Sequence, residues 1–192
     1  MVGEPGVGKS RLCHEFKQRS QRDLLILEAF AVAFGKASPY LPLIDLLRTY
    51  FDVAPGDDEL RRREKITAKV LTLDRSLEED LPYVLSLVGL VEASSPLMQM
   101  DPQIRRRRTF EAVKRILLTE SQRQPLLLLI EDLHWTDGET EAFLATLGES
   151  LVAAHILLLT NYRPEYAPPW GERITSGSFG SIHWKSGARR RC

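Results

Sequence analysis

The octapeptide GEPGVGKS, from Gly3 to Ser10 near the start of the sequence, is the segment most informative about the fold. Its spacing, G-x-x-x-x-G-K-S, is that of a phosphate-binding loop, in which backbone N–H groups surround phosphate oxygens. Three glycines, Gly3, Gly6 and Gly8, allow the backbone to turn inward where side chains would obstruct it. Such a loop normally follows a buried β-strand and opens a helix, yet only two residues precede it here.

The end of the octapeptide carries side chains suited to the same ligand. Lys9 supplies a positive charge for β- and γ-phosphates, and the hydroxyl of Ser10 is placed to bind Mg²⁺. The helix that follows adds its positive dipole end. The residues predicted to bind a nucleotide are Gly3, Glu4, Pro5, Gly6, Val7, Gly8, Lys9, Ser10 and Arg11. A Gly-rich turn before an amphipathic helix is the simpler alternative, but it would not require the Lys-Ser pair.

The composition predicts an ordinary globular chain. Of its 192 residues, 43% are hydrophobic and 27% are charged, and the formal net charge is zero. Neutrality removes the electrostatic reason to propose nucleic acid or an anionic membrane as the main partner. The two cysteines are too few for a disulfide framework or a zinc cluster. Without an apolar run of about 18 residues or a signal-peptide pattern, we expect a cytoplasmic protein with no membrane partner.

Hydrophobic periodicity predicts helices that alternate with short apolar strands. The predicted strands cover residues 24–30, 126–130 and 155–160, and the predicted helices cover 10–22, 41–51, 104–123 and about 137–152, with two or three more between 57 and 92. This alternation predicts an α/β fold, a P-loop three-layer sandwich with a parallel sheet that lacks the strand before the phosphate loop. We expect one domain over residues 1–170 with a helical insert at about 40–123, followed by a disordered tail over 171–192.

Acidic residues follow the second predicted strand, in the segment LLLLIEDLHWTD. Apolar residues followed by acids at the carboxyl edge of a parallel strand form a Walker B pattern. Because successive strand residues face opposite sides, Glu131 and Asp132 cannot share one role while the strand persists. We expect Glu131 to reach toward the Mg²⁺ bound by Ser10, and Asp132 to orient or polarise the attacking water. A strand that ends one residue early would exchange the roles, and two solvated acids capping a turn remain the alternative.

Polar residues also follow the third predicted strand, in the segment from Thr160 to Arg163. Ligands of open parallel sheets bind beyond the carboxyl ends of the strands, so this segment lies in the right zone. Asn161 could hydrogen-bond the nucleophilic water or the γ-phosphate, and Arg163 could sense the γ-phosphate charge. The candidate catalytic residues are therefore Glu131, Asp132, Asn161 and Arg163.

Three other features have simpler explanations. Arg105 to Arg108 look like a nucleic-acid patch, but four consecutive helical residues fan around the helix and cannot form one face. Trp135 is expected to be a core or interface aromatic. Cys13 lies in an apolar stripe with Leu12 and Phe16, where a small buried side chain is more typical than a nucleophile.

Five segments occur in an order that resembles a known family: GEPGVGKSRL, SPYLPLIDLLR, RRRRTFEAVKRIL, LLLLIEDLHWTD and LLLTNYRPEY. The order resembles the ATPase module of the STAND class of signal-transduction ATPases. It is most similar to the AAA-type modules found beside adenylate or guanylate cyclase domains and in large LuxR-type bacterial regulators. The resemblance covers about residues 1–170. It implies an ATP–Mg²⁺ switch that repositions other domains or subunits of a larger regulator, with Arg163 as the sensor arginine.

The sequence also departs from that family. Relatives have a strand directly before the phosphate loop, at the centre of their sheet. Its absence predicts an empty slot between the strands at 126–130 and 155–160, with exposed backbone edges. Relatives continue into helical and winged-helix subdomains, and the tail from Gly171 resembles no part of them. We therefore expect a fragment of a larger reading frame, with a frameshift near Gly171 as one explanation.

Two functions stay open at this stage. The first is an ATP-binding, and in one version ATP-hydrolysing, regulatory module that requires Mg²⁺. The second is a non-catalytic interaction fragment, in which the motifs persist but no competent site assembles. A replication-initiator-like AAA protein that loads onto DNA is a third and weaker reading, because the charge is neutral and no DNA-binding element is visible. The preference for ATP over GTP comes from the resemblance alone.

Overall fold

The computed structural model of the chain describes residues 1–33, 38–91 and 94–170. These residues form an α/β fold in which helices pack on a parallel sheet, which confirms the predicted fold class. The seven α-helices in these residues are α1 (Lys9–Ser20), α2 (Leu41–Tyr50), α3 (Glu59–Leu73), α4 (Leu81–Leu87), α5 (Pro96–Gln99), α6 (Pro102–Arg123) and α7 (Gly138–Gly148). The predicted tail after Trp170 lies outside the described residues, and so does part of the segment 35–40, where the sequence GKASPY predicts a turn.

Three strands form the sheet, in the spatial order β1, β2, β3, and all of their pairings are parallel. They are β1 (Leu25–Phe30), β2 (Leu126–Glu131) and β3 (Ile156–Thr160). Every residue of β2 is buried. A strand between two neighbours with helices on its faces must be apolar throughout, which is why β2 reads as an unbroken run of leucine and isoleucine.

The predicted empty slot between the second and third strands is wrong. β2 and β3 are direct neighbours, paired from Leu126 opposite Ile156 onward. The segment before the phosphate loop lies on the other side of β3, where Val2 forms an isolated parallel bridge with Tyr162. The backbone N–H of Tyr162 donates to the carbonyl of Met1 at 3.1 Å. Sequence order does not reveal the spatial order of parallel strands, because each crossover can place the next strand on either side.

The helical insert forms the larger part of the core. Helix α2 packs on β1, and α6 packs against α4 and against the 3-10 turn at Arg75–Asp80. Asp101 caps α6, since its carboxylate accepts from the N–H groups of the first turn, and Pro102 occupies a position where no N–H is needed. Phe110, Val113 and Leu117 recur at i, i+3 and i+7 in the sequence, a spacing that predicts the buried seam of a helix, and all three are buried in α6.

Helix α1 is much less buried than α6. Of its predicted apolar stripe only Cys13 is buried, while Leu12 and Phe16 remain 42% and 37% exposed. Cys13 is therefore the member of the stripe that packs into the fold, as expected, and α1 makes few close contacts with the other described elements. The helix predicted to run to about residue 152 ends at Gly148, because the chain forms a separate 3-10 turn at Leu151–Ala153.

Among the described helices, none has both the length and the apolar content needed to cross a membrane.

Candidate functional site

The phosphate-loop motif forms an exposed turn that leads directly into α1. Gly6 and Gly8 have φ angles of 82° and 94°, in the left-handed region that L side chains rarely adopt. Gly3 is buried at the start of the loop and does not use this region. The motif thus needs two of its glycines for backbone conformation. The inward orientation of the loop N–H groups around a phosphate stays a prediction.

The amino end of α1 is open to an anion. Gly8 is its N-cap residue, no side chain caps the helix, and no acidic residue lies in its first turn. The first N–H groups of a helix have no partner within it, so here they can bind an anionic oxygen. Ser10 and Arg11 are exposed in this first turn. The Nζ of Lys9 folds back over the loop and donates to the carbonyls of Gly3 (2.6 Å) and Glu4 (3.0 Å).

The acids that follow β2 have different surroundings. Glu131 is the last residue of the strand and is 6% exposed, whereas Asp132 is exposed and has a φ of 55°. The strand therefore persists through Glu131 and ends before Asp132. This boundary gives the two carboxylates separate positions, one inside the fold and one at its surface.

Asn161 joins these two residues. It is 1% exposed, and its Nδ2 donates to Oε2 of Glu131 at 2.9 Å. The backbone N–H of Asp132 donates to its Oδ1 at 2.7 Å. Because a backbone N–H can only donate, this second bond fixes the orientation of the amide and leaves Nδ2 toward Glu131. Asn161 is thus a buried partner of both Glu131 and Asp132. Its amide, which we expected to bond to the attacking water or the γ-phosphate, bonds to these two residues here.

Cys13 brings α1 to the same place. Its Sγ lies 3.8 Å from Nδ2 of Asn161, within range of a weak hydrogen bond to sulfur. Burial raises the pKa of the Cys13 thiol, so the thiol stays protonated and can accept this contact. The buried, non-nucleophilic role expected for Cys13 fits this position. The sequence carries no signal for its contact with Asn161, since the two residues are 148 positions apart.

Arg163 lies outside the cluster formed by Glu131, Asp132 and Asn161. Its guanidinium carbon is over the ring of Trp135, 5.8 Å from the ring centroid, and its side chain is exposed. The residue before it, Tyr162, is bridged to the chain just ahead of the phosphate loop. The backbone therefore connects the loop and the Arg163 segment along the outer side of β3.

A second polar cluster, which sequence reasoning missed, joins the helical insert to α7. Glu139 accepts from the hydroxyl of Tyr40 at 2.6 Å and from Nε of Arg106. The backbone N–H of Tyr40 donates to Asp137, which also caps α7 through the N–H groups of Glu139 and Thr140. Burial and the neighbouring Glu139 carboxylate raise the pKa of Tyr40. Of this cluster only the cap was predictable, from an Asp followed by Glu residues.

The residues present fit a magnesium nucleotide. Backbone N–H groups and Lys9 suit phosphate oxygens, while the Ser10 hydroxyl and the Glu131 carboxylate are hard oxygen ligands of the kind Mg²⁺ prefers. The described residues hold no cluster of three or more His, Cys, Asp or Glu side chains suited to a metal. A magnesium ion does not need such a cluster, since it usually binds through one or two protein oxygens, substrate phosphates and water.

Comparison with known proteins decides the family. A family model described as the AAA ATPase domain matches residues 1–159. This chain belongs to the AAA ATPase domain family. The AAA-type P-loop module predicted from the five segments is thereby confirmed, and membership implies nucleotide binding, typically with Mg²⁺.

A relative also matches this chain, whereas no solved structure does. The chain is 27% identical over 171 residues to an uncharacterized protein of Rhizobium meliloti (strain 1021). That match covers 88% of this chain and 16% of the relative, so the AAA module here corresponds to a small part of a much longer protein.

Proposed function

We propose that this AAA module is the nucleotide switch of a signal-transduction ATPase of the STAND class, which binds and hydrolyses ATP with Mg²⁺. The observation that carries the proposal is the open amino end of α1 behind a left-handed glycine turn, joined through Cys13 and Asn161 to the buried Glu131. The helix whose first N–H groups would bind phosphate is thus linked to a buried carboxylate through the side chains of Cys13 and Asn161. A bound Mg²⁺ would supply charge neutralisation between the phosphates.

Each predicted residue has a role in this proposal. Lys9 exchanges the carbonyls of the loop for β- and γ-phosphate oxygens, and the first N–H groups of α1 bind the same phosphates. Ser10 and Glu131 are the protein ligands toward Mg²⁺, with Asn161 holding the Glu131 carboxylate in place. Asp132, at the surface beyond the strand, orients the attacking water. Arg163 binds the γ-phosphate and so distinguishes ATP from ADP.

The regulatory part of the proposal rests on the resemblance and on chain length. Modules of the resembling class transmit the nucleotide state to other domains or subunits. The Rhizobium relative is several times longer than this chain, which leaves room for such domains. The polar cluster of Tyr40, Arg106 and Glu139 offers a path, because it ties the insert to α7, the next helix along the chain after β2. We propose that other domains of a larger regulator are the partners of this module.

A non-catalytic interaction fragment is the second candidate, and one observation favours it. Leu12 and Phe16 of α1 are partly exposed, so the helix that must hold the phosphate loop packs loosely on the fold. A loosely held helix binds phosphate less tightly, because its N–H groups are not fixed in position. In this candidate the motifs remain but binding of nucleotide is weak and does not depend on Mg²⁺.

Binding of a fluorescent ATP analogue, with and without Mg²⁺, distinguishes the two candidates. We expect Mg²⁺-dependent binding that Lys9→Ala weakens by about 10- to 100-fold, since hydrogen bonds to charged groups contribute about 1.5–3 kcal/mol each. The matched control is Lys17→Ala, which removes the same charge from α1 but breaks only the ion pair with Glu28. Equal affinity of all three proteins for the analogue would favour the non-catalytic fragment.

A further inference from the structure

Trp135 lies at a distinctive place in the fold. It is the last residue of the 3-10 turn at Leu133–Trp135, four positions after Glu131, and its side chain is half-buried. Over its ring lies the guanidinium of Arg163, with the guanidinium carbon 5.8 Å from the ring centroid. This separation is within the range of about 6 Å over which a cation is attracted to an aromatic face.

The backbone beneath this pair is held by several hydrogen bonds. The N–H of Leu133 donates to the carbonyl of Asn161 at 2.9 Å, and the N–H of Trp135 donates to the carbonyl of Asp132 at 2.9 Å. The side chain of Asn161 accepts from Asp132 as well. The segment that carries Trp135 is therefore tied to the segment that carries Arg163. The backbone that carries the indole ring is thus fixed relative to the end of β3.

From this geometry we propose that Trp135 is a positioning residue for Arg163 in the recognition of the γ-phosphate. An exposed arginine samples many rotamers, and a phosphate must immobilise it on binding. A guanidinium held over an aromatic ring has already lost part of that freedom. Its N–H donors, which lie in the plane of the group, remain available for a phosphate oxygen. Trp135 thereby raises the preference for ATP over ADP without touching the nucleotide.

This inference rests on the proposed function, since it assumes that Arg163 senses the γ-phosphate. An exposed cation–π contact corresponds to about a two- to five-fold change in an equilibrium constant. We therefore expect Trp135→Leu to lower the ratio of ATP to ADP affinity by about that factor, with ADP affinity unchanged. Trp135→Phe retains an aromatic face and should keep most of the preference. Trp170→Leu, which removes a half-buried tryptophan outside the proposed site, is the matched control and should change nothing.

The experiment measures displacement of a fluorescent ATP analogue by a non-hydrolysable ATP analogue and by ADP, both with Mg²⁺. Arg163→Ala and the double variant Trp135→Leu/Arg163→Ala complete a cycle. We expect the double variant to match Arg163→Ala, because Trp135 acts only through that arginine. If Trp135→Leu keeps the full ATP preference while Arg163→Ala loses it, Trp135 is only a packing residue and the inference is overturned.

Failure of the proposed function would give results that differ from those expected if the inference alone were wrong. If the wild-type chain does not bind the analogue, the function and the inference fall together; if Arg163→Ala keeps the ATP preference, Arg163 is not a sensor. A second measurement does not depend on the folding of Trp135→Leu. With Trp170 and Trp184 changed to Phe, Trp135 is the only indole, and its emission should change on Arg163→Ala without nucleotide. Unchanged emission would overturn the stacked resting pair.

Discussion

Helices α1 and α6 differ sharply in how much of each is packed. Helix α6 buries seven of its 22 residues, whereas α1, which carries the phosphate loop, buries one of 12. Both helices have apolar residues at helical spacing, so the difference does not lie in the pattern. It lies in what surrounds them, because α6 packs among α3, α4 and α7 while α1 has no comparable neighbour in the described residues.

The residues that bury the most area and the accessible phosphate-loop motif therefore lie in different parts of the module. The insert and the central strand β2 supply the buried area that holds the fold. The phosphate-loop motif and α1 remain accessible, with backbone N–H groups open; within the described residues, Lys9 donates to the loop carbonyls of Gly3 and Glu4. Ligand-binding segments are commonly drawn from the less stable end of a fold, since they must reorganise when the ligand enters.

Matched leucine substitutions test this division directly. Leu117 on α6 is fully buried, and Leu12 on α1 is 42% exposed. We expect Leu117→Ala to lower the free energy of unfolding by about 2–5 kcal/mol, because it removes a packed side chain and leaves a cavity. Leu12→Ala should cost less than about 1 kcal/mol. Urea denaturation followed by circular dichroism measures both, and equal losses would show that α1 is as tightly packed as α6.

Asn161 contacts both α1 and the end of β2. Removing its side chain should therefore lower the free energy of unfolding by an amount between those of the two leucine variants. Asn161→Ala leaves the buried Glu131 carboxylate without its amide partner and the Asp132 N–H without an acceptor. We expect a loss of about 1–3 kcal/mol in the free energy of unfolding. The control is Thr160→Ala, the neighbouring half-buried residue at the end of β3. A loss no larger than that of the control would mean that Asn161 does not join the regions.

The smallest expected effect on stability concerns Asp80, a buried carboxylate in the helical insert. Burial raises the pKa of Asp80 above its ordinary value, although Arg115 lies 2.9 Å away and opposes the shift. Between the ordinary and the raised pKa the folded state binds more protons than the unfolded state, so Asp80 lowers stability as pH rises. Asp80→Asn cannot take up this proton. Its stability relative to wild type should therefore be more favourable at pH 7 than at pH 4.

The pH dependence is measured by urea denaturation of both proteins at the two pH values. Gln103→Glu, which changes an exposed residue at the start of α6, shows how an added carboxylate in solvent behaves. A difference between Asp80→Asn and wild type that stays constant with pH would contradict the raised pKa.

Several features of the fold were predictable because they depend on local sequence. An unbroken apolar run predicts the buried β2, and apolar residues at i, i+3 and i+7 predict the seam of α6. The capping of α7 by Asp137 follows from a side chain that reaches its own next turn. The phosphate loop is equally local, since its glycines and Lys9 lie within seven residues of each other. Such features need no knowledge of where other segments lie.

The incorrect and missed features all depend on contacts between distant segments. The sequence could not show that β2 and β3 are neighbours, or that Val2 bridges to Tyr162 on the far side of β3. It could not show that Leu12 stays exposed, because an apolar stripe is buried only if another element covers it. The contact of Asn161 with Cys13 joins positions that are 148 residues apart. No rule based on sequence spacing predicts a contact between residues that far apart in the chain.

The fold class and the AAA-type module are legible in the sequence alone, and the sequence also predicts which residues bind a magnesium nucleotide. Periodicity and turn chemistry act over a few residues, so they are legible in one dimension. Only the tertiary structure decided that Asn161 holds Glu131, that Arg163 rests on Trp135, and that α1 remains loosely packed. These outcomes depend on how crossovers bring strand ends together, and that arrangement is set by packing of the whole chain rather than by any local segment.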